Sequence, residues 1–585
     1  MNEQSPRQAH PSDDSTDDKV RYGSDVIAQT IRALDFDYIA INPGASFRGL
    51  HDSLVNHLGN TKPELILCPH EEHAMSLAQG YAKVTGRPMA VAVHANVGLM
   101  HATMGIFNAW ADRVPVCVVG SAGPMDAARR RPWADWLHTS RDSASMIRGY
   151  IKWDDHPYSI PAAVESLIRA KQIACTQPCG PTFVSLDASL QEDSLDAPVD
   201  VPDMSRHGLP ELPAPTPAAI AEAARLLRGA KRVVIMMGRM GREFELWPAR
   251  IRLAEVLNAK VITDYKTGAM FPTDHANHSD WPGIMVTKTN AALIREADVI
   301  LSLDYIDIGG MMKVAGAGKP VAAKLISVSL DSYLANGWSL DHFSVPEADL
   351  SILSTPDNFV DALLRELDET ADFPAYVAPP RPPKLVNADP SDKMTTRMLA
   401  ETVIQSVGTR AISLVRLPLR WPPSAYPFHH PLDYLGKDGG GGIGSGPGMA
   451  IGSALALKGS GRLPIAVLGD GDTFMGINAL WIAARYRIPL LVVIVNNRSY
   501  YNDVAHQESV ARHRNRSVDN KWIGLNLEDP VPDFATLARG QGWTAEGPIT
   551  DFTKLQAAID AGIAIVEQGG CHLIDVYVDE VEPRR

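Results

Sequence analysis

The sequence is short of the features that mark secreted, membrane-spanning and nucleic-acid-binding chains. Five cysteines among 585 residues (Cys68, Cys117, Cys175, Cys179 and Cys571) are too few and too scattered for a disulfide framework. Cys175 and Cys179 lie close together, but no second pair completes a zinc site, so all five read as reduced thiols. No apolar run approaches the roughly 20 residues that cross a bilayer. Basic residues are in deficit, 55 Lys and Arg against 68 Asp and Glu, and a net charge of −13 leaves no footprint for a nucleic-acid backbone. The opening MNEQSPRQAHPSDDSTDD has neither the basic nor the apolar region of a signal peptide. It reads as a disordered tail over residues 1–19, and a cytoplasmic location is the expectation. The P-loop pattern of nucleoside triphosphatases is missing as well.

What is present is a βαβ rhythm. DVIAQTIRAL has helical spacing, YIAI, AVAV and VPVCVVG read as short buried strands, and small-residue helices separate them. Near-continuous apolar strands of this kind predict parallel sheets covered on both faces. The Pro- and Asp-rich stretch Asp193–Pro217 suits a linker. A second unit follows, with strands RVVIMMG, AKVIT, ADVILSLD and KLISVSL. A second proline-rich linker spans Phe373–Val386, and a third α/β unit runs to the end. The expected fold class is α/β, with three doubly wound parallel-sheet domains over 20–195, 213–372 and 387–585.

The most informative stretch is VLGDGDTFMGINALWIAARYRIPLLVVIVNN, Val467–Asn497. It reads as strand, turn, helix, strand, with Asp470 after the first strand and Asn496 and Asn497 after the second. Ligands of open parallel sheets bind beyond the carboxyl ends of the strands. If the two strands are neighbours, these side chains converge there. Gly469 and Gly471 flank the acid, and glycine lets backbone approach a ligand closely. The helix that follows points free N–H groups at an anion such as phosphate. A carboxylate and an amide oxygen beside phosphate suit a hard divalent cation such as Mg²⁺.

Flanking glycines, then 24 residues, then Asn-Asn, with an apolar strand before each end, resemble the diphosphate-binding motif of thiamine-diphosphate-dependent enzymes. The resemblance makes Asp470, Asn497 and the backbone carbonyl of Ser499 metal ligands, and sets Asp472 and Thr473 against the diphosphate. CPHEEHAMSLAQGYAKVTGRP, Cys68–Pro88, is similar to the segment of benzoylformate decarboxylases, pyruvate decarboxylases and acetohydroxyacid synthases that carries the cofactor-activating acid. In that pattern the Glu lies nine residues before the Gly of GYA, which selects Glu71 over Glu72. GGGGIGSGPGMAIGSALAL, Gly439–Leu457, resembles the segment that supports the cofactor's bent shape on one bulky apolar residue, here Ile443. The resemblance spans about residues 20–570. It implies a pyrimidine-binding, a central Rossmann-like and a diphosphate-binding domain. It also implies a homodimer or homotetramer with active sites at subunit interfaces.

Other residues bear on the chemistry. His94 follows a strand, and benzoylformate decarboxylases have a His there with the same 14-residue gap to an Asn, here Asn108. A neutral imidazole at that point suits proton transfer. Ala45 stands where those enzymes have an active-site Ser, with Ser46 next to it. His101 reads as structural. His429, His430, Tyr500 and His506 are candidate substrate contacts, and Tyr500, Tyr501, Phe428 and Trp421 are expected around an apolar mouth. Arg512, Arg514 and Arg516 form a basic cluster that suits a carboxylate, a coenzyme A phosphate or plain solvent. VVIMMGRMG resembles a dinucleotide turn, so FAD stays open, although related central domains keep this shape without it. The leading expectation is non-oxidative decarboxylation of an aryl or bulky 2-oxo acid, a small-molecule substrate. An acetohydroxyacid synthase-type carboligase, a 2-hydroxyacyl-CoA lyase and a non-catalytic ligand-binding relative are the alternatives.

Overall fold

The computed structural model describes residues 19–331, 342–368, 373–380 and 393–579. All but Lys19 of the expected N-terminal tail, residues 381–386 of the second linker, and the limits set at 372 and 387 fall outside the described residues. One compact unit runs to Leu212 and takes in Asp438–Gly442; a second begins at Pro213.

The first unit holds six parallel strands: β1 (Tyr38–Ile41), β2 (Glu64–Leu67), β3 (Met89–Ala92), β4 (Val116–Ala122), β5 (Trp153–Asp155) and β6 (Pro181–Asp187). Their order is β2-β1-β3-β4-β6-β5. β4 and β6 are buried at all seven positions, because helices cover both faces. The strand order reverses between β1 and β3, which opens a crevice beyond their carboxyl ends. Helix Glu71–Thr85 starts at His70, an extended N-cap whose imidazole Nδ1 accepts the Glu72 N–H, and ends at Gly86 with φ 67°. Helix Ala95–Ala111 packs closely on it. A Cβ at Gly105 would strike Met75, so only glycine permits that approach.

The second unit holds two parallel sheets. Strands β7 (Val233–Met237), β8 (Lys260–Thr263), β9 (Val299–Leu303), β10 (Lys324–Val328) and β11 (Leu350–Ile352) lie in the order β11-β10-β9-β7-β8. Strands β12 (Ile412–Arg416), β13 (Leu463–Gly469), β14 (Leu490–Asn496), β15 (Thr544–Ile549) and β16 (Cys571–Tyr577) lie in the order β12-β13-β14-β16-β15. β13 and β14 are parallel neighbours in register, with Gly469 beside Val495. The three parallel α/β sheets are those expected from the βαβ rhythm.

The stretch 193–216 is irregular and largely exposed, and Thr216 caps the helix Pro217–Arg228 that opens the second unit. Cys68, Cys117 and Cys571 are buried, and all five cysteines are free thiols. Among the described residues no helix is long and apolar enough to cross a membrane.

Candidate functional site

In the first unit the chemistry gathers at the switch point. Ser46 follows β1, Glu71 follows β2 and His94 follows β3. Ser46 Oγ lies 2.7 Å from His94 Nδ1 and accepts the Ala95 N–H at 3.1 Å. The Ala95 N–H anchors the hydroxyl beside the ring, and Ser46 and His94 share one hydrogen bond through Nδ1. Burial lowers the His94 pKa; the charges of His138 and Arg131 push the same way and Glu71 opposes them. The shift favours the neutral imidazole of His94. A Cβ at Gly44 would strike its ring. A Cβ at Gly98 would lie 2.9 Å from Glu71 Oε1 and 3.1 Å from His94 Cβ, so the acid and the base of the histidine side chain both approach one glycine. Ala95, between His94 and the helix, sits at φ 28°, a strained value for a residue with a side chain. The departure at Ala45 thus leaves a serine hydroxyl in reach of the histidine, from the next position.

Glu71 is buried, and its Oε2 lies 3.1 Å from His101 Nδ1. His101 stacks on His70 with ring centroids 4.7 Å apart. His70, Glu71 and His101 bring ligand-type atoms within 4.8 Å of one another. His70 Nδ1 already accepts the Glu72 N–H, so its neutral ring keeps hydrogen on Nε2 and has no free lone pair for a cation. The cluster is a hydrogen-bonded bracket. His138, which the sequence reading passed over, faces His94 with ring centroids 4.7 Å apart. It comes from the short helix after β4, and nothing in its local pattern sets it apart from a surface histidine. Asn108 is fully buried, with its amide oxygen against Gly440.

In the second unit Asp470 and Asn497 share a donor. Asp470 Oδ1 accepts the Gly471 N–H at 2.8 Å, and Oδ2 accepts the Ser499 N–H at 3.1 Å. The same Ser499 N–H lies 3.0 Å from Asn497 Oδ1, which also accepts the Ser499 hydroxyl at 2.9 Å. Hydrogen bonds from Tyr500 N–H to Leu525 O and from Leu527 N–H to Arg498 O hold this turn, and Arg498 has φ 58°. Burial pushes the Asp470 pKa up to about 6, against backbone hydrogen bonds that lower it. Two hard oxygens on one backbone donor, one of them a buried carboxylate with only backbone N–H groups as its hydrogen-bond donors, fit an oxygen-seeking divalent cation. A Cβ at Gly469 would meet nothing within 4 Å, so space for a ligand adjoins them.

Several expected cofactor contacts are turned elsewhere. The Asn496 amide donates to Asp575 Oδ1 at 3.0 Å and accepts the Arg498 N–H at 3.1 Å, so it is taken up within the sheet and its adjoining turn. Burial pushes the Asp575 pKa up to about 7, and Asp470 adds to the shift. Asp472 Oδ1 accepts the Gly444 and Gly446 N–H groups at 2.7 and 3.2 Å, with Arg416 3.6 Å from Oδ2, so this carboxylate holds the glycine-rich loop. Thr473 Oγ1 donates to the Gly469 carbonyl at 2.8 Å. Gly471 lies under the Tyr500 ring, where a Cβ would come within 2.5 Å. Ile443 is 43% exposed at the start of that loop's apolar continuation.

The remaining candidates separate. His429 is buried, with Nε2 2.8 Å from Asp274 Oδ2, and His430 caps a turn and stacks on Phe244 at 4.7 Å. Phe428 and Trp421 do not line a mouth: both are buried in the core of the second unit, because the chain before Tyr434 folds inward there. His506 is exposed on helix Tyr501–His513. Arg512 pairs with Glu508, whereas Arg514 and Arg516 line a shallow surface depression. At the switch point between β7 and β9, Arg239 is held by Asp304 at 3.1 Å and Asp331 at 2.5 Å, and Ser329 donates to Asp304 at 2.6 Å. Arg239 belongs to the VVIMMGRMG turn, so these ion pairs tie that turn to the ends of β9 and β10.

Three sequence models of one family match the chain: the thiamine pyrophosphate enzyme N-terminal TPP-binding domain over 21–146, the central domain over 220–336 and the C-terminal TPP-binding domain over 419–576. The chain is 26% identical to the benzoylformate decarboxylase of Pseudomonas aeruginosa, covering 88% of this chain and 92% of that one. It is 25% identical to the acetolactate synthase of Bacillus subtilis, covering 87% and 88%. Its fold is similar to that of benzoylformate decarboxylase from Polynucleobacter necessarius, with a TM-score of 0.77 at 19% identity over 97% and 100% of the two chains. It is also similar to a thiamine diphosphate-dependent 4-hydroxybenzoylformate decarboxylase of Rhodococcus jostii RHA1, with a TM-score of 0.74 at 20% identity over 95% and 98%. With three parallel sheets in this order and all three domain models matched in sequence, the chain belongs to the thiamine pyrophosphate enzymes.

Proposed function

We propose that this enzyme uses thiamine diphosphate and Mg²⁺ to decarboxylate a 2-oxo acid with an aryl or otherwise bulky acyl group to the aldehyde. Residues 20–195 serve as the pyrimidine-binding domain, 213–372 as the central domain and 387–585 as the diphosphate-binding domain. Asp470, Asn497 and the Ser499 carbonyl hold the metal, the open space at Gly469 leaves room for the diphosphate, Gly471 lets the backbone pass under Tyr500, and Ile443 supports the cofactor. FAD is outside the proposed set; Arg239 in the candidate dinucleotide turn is engaged by Asp304 and Asp331. The working form is a cytoplasmic homodimer or homotetramer, with the acid of one subunit serving the diphosphate pocket of another.

Thiamine diphosphate, when bound, supplies the electron sink for the carbon that loses its carboxyl group. The chain has three remaining tasks. Glu71 holds a proton at a carboxyl oxygen for the cofactor's ring nitrogen. The oxygens of Asp470 and Asn497 fix the diphosphate through the cation. His94 handles the proton that must replace carbon dioxide on the substrate carbon, with Ser46 orienting its ring through Nδ1. The observation that carries this reading is the buried Glu71 carboxyl group beside Gly98, with the Cβ of His94 at the same glycine and the pKa of that histidine lowered by burial. Similarity to benzoylformate decarboxylase along most of the chain supports the aryl preference. The test is carbon dioxide release from a panel of 2-oxo acids, with benzoylformate expected to outpace pyruvate.

Carboligation is the second reading, favoured by the comparable similarity to acetolactate synthase. Acetolactate as the main product from pyruvate, with His94→Ala unimpaired, would establish it in place of the first.

A further inference from the structure

The exposed imidazole of His101 has no part in the scheme above, yet it makes a direct contact with the acid. Its side chain is 58% exposed, and that of Glu71 only 6%. Glu71 Oε1 sits beside Gly98, 2.9 Å from where a Cβ would stand there, and Oε2 is the oxygen that meets the imidazole. His101 Nδ1 lies 3.1 Å from that oxygen. The contact ties the exposed ring to the buried carboxyl group, so the imidazole restrains rotation of that group about its side chain.

Each part of this contact is held. The helices carrying Glu71 and His101 are locked at Gly98 and Gly105. The His101 ring stacks on His70 at 4.7 Å and 24° between planes, and the Glu72 N–H anchors His70 through Nδ1. His73, buried below, packs against His70 with centroids 5.5 Å apart. The chain of contacts runs from the first turn of the helix, through two stacked imidazoles, back to the carboxylate that starts that helix. An ion pair with one exposed partner adds little to stability, so stability alone gives no reason for it. A carboxyl group on a rotatable side chain, required in one orientation, gives one.

We propose that His101 is a positioning residue: its imidazole fixes the plane of the Glu71 carboxyl group, and with it the direction in which that group meets the cofactor's ring nitrogen. This inference rests on the reading of Glu71 as the acid that serves the cofactor. His101→Leu removes the polar contact. His101→Asn keeps an amide N–H close to the place of Nδ1.

The experiment compares both variants and Glu71→Gln as full-length protein loaded with thiamine diphosphate and Mg²⁺. It reads exchange of the thiazolium C2 hydrogen by NMR, cofactor affinity by calorimetry and thermal melting. The leucine variant should exchange about tenfold more slowly, with affinity within about threefold and melting unchanged; the asparagine variant should recover most of the rate. Parent-like exchange in His101→Leu, or no recovery in His101→Asn, overturns the proposal provided Glu71→Gln is slow. Parent-like exchange in Glu71→Gln overturns instead the reading of Glu71 on which it rests. If the leucine variant melts early, His101→Ala replaces it in the same comparison.

Discussion

The two candidate half-sites are built on opposite principles. In the first unit the acid and its neighbours are side chains that satisfy one another: Glu71 with His101, His94 with Ser46, and His94 against His138. Imidazoles and hydroxyls there both give and take hydrogen. In the second unit Asp470 and Asn497 are acceptors held by backbone N–H groups, and the buried carboxylate of Asp470 has no basic side chain among its hydrogen-bond partners. The first arrangement suits proton transfer, which needs groups near their own titration range. The second suits fixed charge, because hard oxygens that lack a countercharge attract a cation. One cofactor with an ionisable ring and a diphosphate calls for one of each.

The largest effect expected from this contrast is on the charge-holding side. Asp470→Ala or Asn497→Ala should weaken thiamine diphosphate binding in Mg²⁺ at least about 100-fold by calorimetry, since a diphosphate without its cation is left with unbalanced charge. Unchanged affinity in both variants would break the contrast at its strongest point. Glu71→Gln should do the reverse: cofactor binds within about tenfold of parent affinity, but C2 hydrogen exchange slows by about two orders of magnitude. The same defect in Glu72→Gln instead would move the acid by one residue.

Next in size, His94→Ala should lower turnover at least about tenfold, and Ser46→Ala less, because the serine acts only through the imidazole. Equal losses in both would place the serine in direct contact with substrate. Ile443→Ala should lower cofactor affinity and turnover together by several-fold, and a normal rate would assign the support to another residue.

The smallest expected effect concerns pH. Burial raises the pKa of Asp470 to about 6 and of Asp575 to about 7, above their unfolded values. The folded state therefore binds protons more tightly than the unfolded state, and these two groups add stability as pH falls from about 8 to about 5. In chelator the melting temperature should rise over that interval, and Asp575→Asn should lose much of the rise. Excess Mg²⁺ favours the ionised Asp470 and should flatten the slope. An identical slope with and without Mg²⁺ would show that the oxygens do not take the ion.

Much of the architecture was readable because parallel strands buried on both faces must be apolar throughout. YIAI is β1 residue for residue, and the strand endings that carry Asp470 and Asn496 fall where the motif suggests. Strands such as β2 and β5 were passed over, being short, with partly exposed positions that blur the pattern. Histidines were the hardest to place. His101 read as structural although it contacts the acid, His138 drew no notice, and His429 and His430 went instead into core and turn contacts. A histidine suits a core, a cap, a stack or a site equally well, and local sequence carries no sign of which.

By itself the sequence determined the α/β class, three parallel sheets, and the residue types that fit thiamine diphosphate and a divalent cation. It could do so because hydrophobic period and glycine spacing are local properties of the chain. Only the tertiary structure decided which oxygens share the Ser499 donor, that Asn496 turns to Asp575, that Asp472 holds the glycine-rich loop, and that His101 reaches Glu71. Those pairings join residues up to 79 positions apart. A side chain's partner is set by which strand ends and helix faces the packing brings together, and that depends on the whole fold at once.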